Sequence, residues 1–190
     1  MNLRHIDELS KEPWFRNPWV MLGTGPSLDL FDYEKWKDYN IAAIYDAANA
    51  CERATMIFAS DWWDPRDWVK PYFDKTDIVA TRIINENKRN HKTYFWEYDC
   101  DVEQMGGRRL LPQFRTYPCS NTSSFITYWL GTHGVRTIYT SGIDGGWGIA
   151  TSVSDWYRDD AKESKGWHPD RENEGIYGHA STFGIQLIRI

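Results

Sequence analysis

Short, uninterrupted apolar runs recur along this chain, each bounded by glycine, proline or charged residues. Trp19–Leu22, Asn40–Tyr45, Ala54–Ser60, Asp77–Arg82, Lys92–Tyr98, Arg136–Ser141 and Ile185–Ile190 read as strands. A run such as Ile41-Ala42-Ala43-Ile44 shows no alternation of apolar and polar positions, as expected of a strand buried on both faces of a parallel sheet. Phe31–Tyr39 and Ser123–Gly131 have helical character, and Asp61–Phe73 reads as a short helix. Alternating elements of this kind predict an α/β fold, a Rossmann-like three-layer sandwich around a mostly parallel sheet. The last run predicts an edge strand. Residues 1–17, interrupted by Pro13 and followed by Pro18, predict an arm or short helix ahead of the first strand.

The first strand runs directly into Gly23, Thr24, Gly25, Pro26 and Ser27, with a helical-looking segment beyond. In a strand–loop–helix turn, backbone N–H groups can face a phosphate, and glycine lets the ligand approach because it has no Cβ. Position 28 is leucine, so the dinucleotide fingerprint is absent, and no P-loop lysine follows. A purely structural turn remains the equal alternative. Ligands of doubly wound sheets gather beyond the carboxyl ends of the strands. The glycine loop, Asp46, Asp61 and Asp144 all fall at such ends and are predicted to share one cleft. Three carboxylates there would suit Mg²⁺ and a pyrophosphokinase-like phosphotransfer. The alternative for each is a carboxylate that caps its own turn.

With 190 residues, the chain is long enough for one domain with a substantial core. A charged fraction of 26% and a net charge of −5 weigh against constitutive nucleic-acid or membrane-surface binding. Aromatics reach 16%, with 11 Trp and 11 Tyr, more than a core of this size can bury. Several are therefore expected to line a cleft or an interface. Trp62, Trp63, Trp147, Trp156 and Trp167 are the ones on predicted loops. Cys51, Cys100 and Cys119 lack metal-site spacing, and the polar N-terminal segment has no apolar core, which reads as reduced thiols in a cytoplasmic protein. Residues 145–175 carry little periodicity and predict a flexible lid or binding loop. Edge pairing of the last strand and the abundant aromatics make a homo-oligomer plausible.

Four islands then carry a resemblance: Gly23 to Asp29, Asn121 to Ser124, Ile138 to Asp144 and Tyr177 to Ser181. In this order they resemble bacterial sialyltransferases of the Campylobacter type, glycosyltransferase family 42, and the related group of Gly-x-Gly-Pro-Ser-Leu proteins. The resemblance implies a GT-A-like variant of the Rossmann-like fold and sugar transfer from a CMP-linked donor to an acceptor hydroxyl, such as that of a glycan, with no required metal. It implies that Gly23, Thr24, Gly25, Pro26 and Ser27 hold the nucleotide phosphate. Asp46, Ser60, Thr122, Ser123, Gly142 and Asp144 would contact the nucleotide, and His179, read as lying in a loop, would be the general base. An arginine that precedes the Thr-Ser pair in that family has no counterpart, since Ser120 and Asn121 stand there. Of its two phosphate-side tyrosines, Tyr157 is the available stand-in. Mg²⁺ belongs to the pyrophosphokinase-like alternative, and a non-catalytic nucleotide- or sugar-binding protein is a further one. His168 is a second candidate base, and Arg108 and Arg109 could meet an anionic substrate, but a solvated loop position is the stronger reading for each.

Overall fold

A computed structural model describes residues 4–59, 74–81, 92–96, 117–119, 121–144, 150 and 169–190. The apolar runs become strands of one sheet: β1 (Arg4–His5), β2 (Trp19–Leu22), β3 (Asn40–Ile44), β4 (Met56–Ala59), β5 (Ile78–Thr81), β6 (Lys92–Phe95), β7 (Thr137–Ser141) and β8 (Gln186–Arg189). Their order is β1-β6-β5-β4-β3-β2-β7-β8, and each neighbouring pair is parallel. Val20 stands opposite Ile41 on one side and Tyr139 on the other, which fixes β2 at the centre of the register.

Side chains alternate across the sheet and both faces are covered, which is why the strands show no polar alternation. Trp19, Met21, Met56 and Phe58 project to one face and pack with Phe15, Phe125 and Trp129. Val20, Leu22, Ile57 and Ala59 project to the other, where Leu28, Trp36, Ala47 and Ala48 meet them. The first face is layered by α2 (Thr122–Thr132), α3 (Pro169–Phe183) and the 3₁₀ turns Ile6–Lys11 and Pro13–Arg16. The second is layered by α1 (Tyr33–Trp36) and the 3₁₀ turns Pro26–Leu30 and Tyr45–Ala50. The result is the expected three-layer α/β sandwich.

Much of the aromatic content is core. Trp96 stacks on Phe125 at 4.7 Å, and Trp129 meets Phe15, Trp19 and Phe58 edge-on. Each such ring fully withdrawn from water contributes roughly 1.5–3 kcal/mol. The five loop tryptophans lie outside the described residues, as do Ser60, Asp61, Tyr157, Cys100, His168, Arg108, Arg109 and the 61–73 segment.

Three sequence expectations change. Residues 4 and 5 are not an arm but an edge strand paired with β6, followed by 3₁₀ turns. The helix expected over Phe31–Tyr39 shortens to Tyr33–Trp36, because Pro26 starts a 3₁₀ turn that closes at Phe31 first. The 145–175 segment is helical from Pro169 onward. Among the described residues, no helix is long and apolar enough to cross a membrane.

Cys51 and Cys119 are both buried. Burial pushes the Cys51 thiol up to about 11, against a smaller downward pull from Lys75. Since the thiolate is the nucleophile, iodoacetamide at mildly alkaline pH should leave Cys51 unmodified in the folded chain and label it in urea. Peptide mass spectrometry reads this out, and equal labelling in both states would contradict it.

Candidate functional site

The chain leaves β2 toward β3 and later returns to β7 on the other side of β2, so the sheet's topological switch point lies between β2 and β7. Crevices for ligands open there, beyond the carboxyl ends. The loops that follow those two strands are the glycine loop and Gly142–Asp144. Two sequence islands 117 residues apart therefore meet as adjacent walls.

The contact between these walls is close. Gly23 N–H donates to the Ser141 carbonyl at 2.9 Å and Gly25 N–H to the Gly142 carbonyl at 2.8 Å. Gly142 N–H donates to Ser27 Oγ at 2.8 Å, and Ser141 Oγ to the Ser27 carbonyl at 3.1 Å. A Cβ on Gly23 would lie 2.4 Å from the Gly142 oxygen, and one on Gly25 would lie 2.5 Å from Asp144 Oδ2. The glycines are thus needed for loop-on-loop packing. Ser27 is buried and serves as a brace between the loops. Its N–H donates to Asp144 Oδ2 at 2.8 Å, while Arg189 Nη2 donates to Asp144 Oδ1 at 2.5 Å. Asp144 caps the glycine turn across the sheet, a structural duty the sequence assigned to its own following turn. Thr24, half-buried, and Pro26, exposed, form the outer rim, and the Thr24 carbonyl accepts from Ala150 N–H at 2.8 Å.

Asp46 follows β3 on the far side of β2 and is buried. The preceding Tyr45 has φ +49°, a left-handed conformation that a bulky side chain adopts only under local constraint. β2 lies between β3, which leads to Asp46, and β7, which leads to Asp144. Among the described residues, no three His, Cys, Asp or Glu side chains gather as a metal site.

Helix α2 leads into β7, so it runs antiparallel to the strands and its N-terminus lies at the same carboxyl edge. Asn121 is its cap: Oδ1 accepts from Ser124 N–H at 2.7 Å and from Ser123 Oγ at 3.0 Å. Thr122 is buried and Ser123 half-buried at this helix start. The cap is the asparagine just before the Thr-Ser pair, not the pair itself.

His179 lies in α3, not in a loop. The sequence hid this helix because glycine at 175 and 178 disfavours helix. Gly175 is there for contact: a Cβ would stand 2.9 Å from Ser124 Oγ. One turn further along, His179 packs edge-on against Tyr128 at 5.0 Å, with Nε2 3.5 Å from Cys119 Sγ. Burial holds its pKa below the ordinary imidazole value, so the neutral form, able to accept a proton, is favoured. Arg189 is the polar residue missed by sequence reasoning. It lies outside every motif, and only the β7–β8 pairing brings it to Asp144.

Neither a protein-family model nor a curated protein matches the sequence. Solved structures do match in fold. The sialyltransferase CST-II in complex with trisaccharide acceptor and CMP aligns over 90% of this chain and 80% of its own, with a TM-score of 0.56 at 12% identity. CstII from Campylobacter jejuni in complex with the substrate analogue CMP-3FNeuAc aligns over 91% and 80%, with a TM-score of 0.51 at 13% identity. With its parallel sheet, its switch-point loops and these neighbours, the chain has a sialyltransferase-like, GT-A-like α/β fold.

Proposed function

We propose that the protein is a glycosyltransferase that moves a sugar from a CMP-linked donor to an acceptor hydroxyl. The observation that carries this reading is the pair of interlocked loops, Gly23–Ser27 and Gly142–Asp144, at the switch point of a fold whose solved neighbour holds CMP and an acceptor. In this reading the rim of the glycine loop, with Thr24 and Pro26, faces the donor phosphate. Thr122 and Ser123 approach from the start of α2, and Asp46 from the end of β3. Gly142 and Asp144 form the floor beneath the nucleotide; Ser60 and Tyr157, which the resemblance assigns to the nucleotide and the phosphate, lie outside the described residues. The acceptor oxygen attacks the anomeric carbon, the bond from that carbon to the phosphate oxygen breaks, and CMP departs. His179 takes the acceptor's proton. CMP leaves with a single phosphate, so the reaction needs no metal to shield a polyphosphate.

A metal-free thermal-shift series tests this. CMP at a hundredfold excess over Kd should stabilise the fold by about 2.7 kcal/mol, which raises Tm by roughly 5–10 °C in a chain of this size. CMP release from CMP-sialic acid should follow at a rate above the uncatalysed background. No shift with CMP, or a shift only with ATP and Mg²⁺, would overturn the reading.

A further inference from the structure

We propose that Arg189 contacts the phosphate of the CMP-type donor, an assignment that rests on the reading above. Arg189 stands opposite Thr140, and the next residue, Ile190, donates its N–H to the Thr140 carbonyl at 3.0 Å. Its backbone is therefore fixed at the carboxyl edge, on the β7 side of the switch point. The guanidinium rests on Asp144, which is 14% exposed and already bonded to Ser27 N–H, so the arginine is held against the wall of the glycine loop. Yet its own side chain is 69% exposed. A guanidinium carries five N–H donors, and one bond to Asp144 leaves others for phosphate oxygens. An ion pair this exposed is weak in water and yields readily to a better-placed anion.

Three other described basic side chains are engaged elsewhere. Arg16 and Arg136 bond carbonyls at the C-terminal end of α2, and Lys75 bonds the carbonyls of Asn49 and Cys51. The position ahead of Thr122, where the resemblance calls for an arginine, holds asparagine used as a helix cap. Arg189 supplies a cation at the same edge from a different strand.

Calorimetric titration of CMP and of cytidine into wild type, Arg189→Ala and Arg189→Lys tests the assignment. Arg189→Ala should weaken CMP roughly tenfold or more and leave cytidine unchanged, because cytidine has no phosphate. Arg189→Lys should fall between, keeping the charge but losing the planar fork. Equal CMP affinity in wild type and Arg189→Ala would overturn the arginine assignment and leave the donor reading standing. A parallel loss of CMP and cytidine would also overturn it, since the arginine would then act only through Asp144. A wild type that binds neither overturns the donor reading, and this assignment with it.

Discussion

Replacing Gly142 by alanine is expected to destabilise the fold by about 3 kcal/mol. Gly142 has φ +70°, which for an alanine costs about 1 kcal/mol by itself. The added Cβ would also stand 2.0 Å from the Gly23 oxygen and 2.6 Å from its carbonyl carbon, both backbone atoms of a central strand's end. The loops must separate to relieve this. Separation strains the Gly25 N–H bond to the Gly142 carbonyl and the Gly142 N–H bond to Ser27 Oγ, each 2.8 Å long. Two such buried bonds contribute about 1 kcal/mol apiece. Urea unfolding should show a lowered midpoint with an unchanged slope, and the CMP response should vanish as well. Gly178→Ala is the control: among the described residues no atom beyond its chain neighbours and its own helix backbone lies within 4 Å of its Cβ position, it sits inside α3, and it should be neutral or gain up to about 1 kcal/mol. A loss below about 1 kcal/mol for Gly142→Ala would mean that the two loops are not locked together as described.

The same loop shows what the sequence could and could not convey. Strands β2, β3, β4 and β7 were legible because burial on both faces leaves an apolar run, and a run is visible in one dimension. The glycine loop was legible as a special turn, but its cause was not. Gly23 and Gly25 read as room for a phosphate, whereas their missing Cβ atoms make room for Gly142 and Asp144, residues more than 100 positions away. A tertiary contact of that range leaves no spacing to detect. Asp144 was placed at the correct edge, yet its partners, Ser27 N–H and Arg189, come from two other strand ends. Arg4–His5 was missed for the opposite reason, since two residues are too few to form a pattern. Helix α3 was missed because Gly175 follows packing against Ser124 and not helix propensity.

His179→Ala should lower kcat by about 10²- to 10⁴-fold, the usual contribution of a positioned general base, with donor KM little changed. The geometry in α3 supports the assignment through protonation state. Burial lowers the imidazole pKa, and among the described residues its polar contact is the Cys119 thiol at 3.5 Å, not a carboxylate that would favour the cation. Wild-type kcat should therefore rise with pH through a value below the ordinary histidine range near 6.5 and then level off. In His179→Ala that rising limb should disappear. Stability moves in the same direction. Between the lowered folded pKa and 6.5, the unfolded chain binds more protons than the folded one. Stability is therefore full above the unfolded value, falls as pH drops through this window, and changes no further below it. His179→Ala should remove this contribution, and urea titrations above and below the window would detect the loss. Unchanged turnover with an intact acid limb in His179→Ala would assign the base to another residue. A flattened stability profile with unchanged turnover would make His179 a packing residue against Tyr128 of α2 and Cys119.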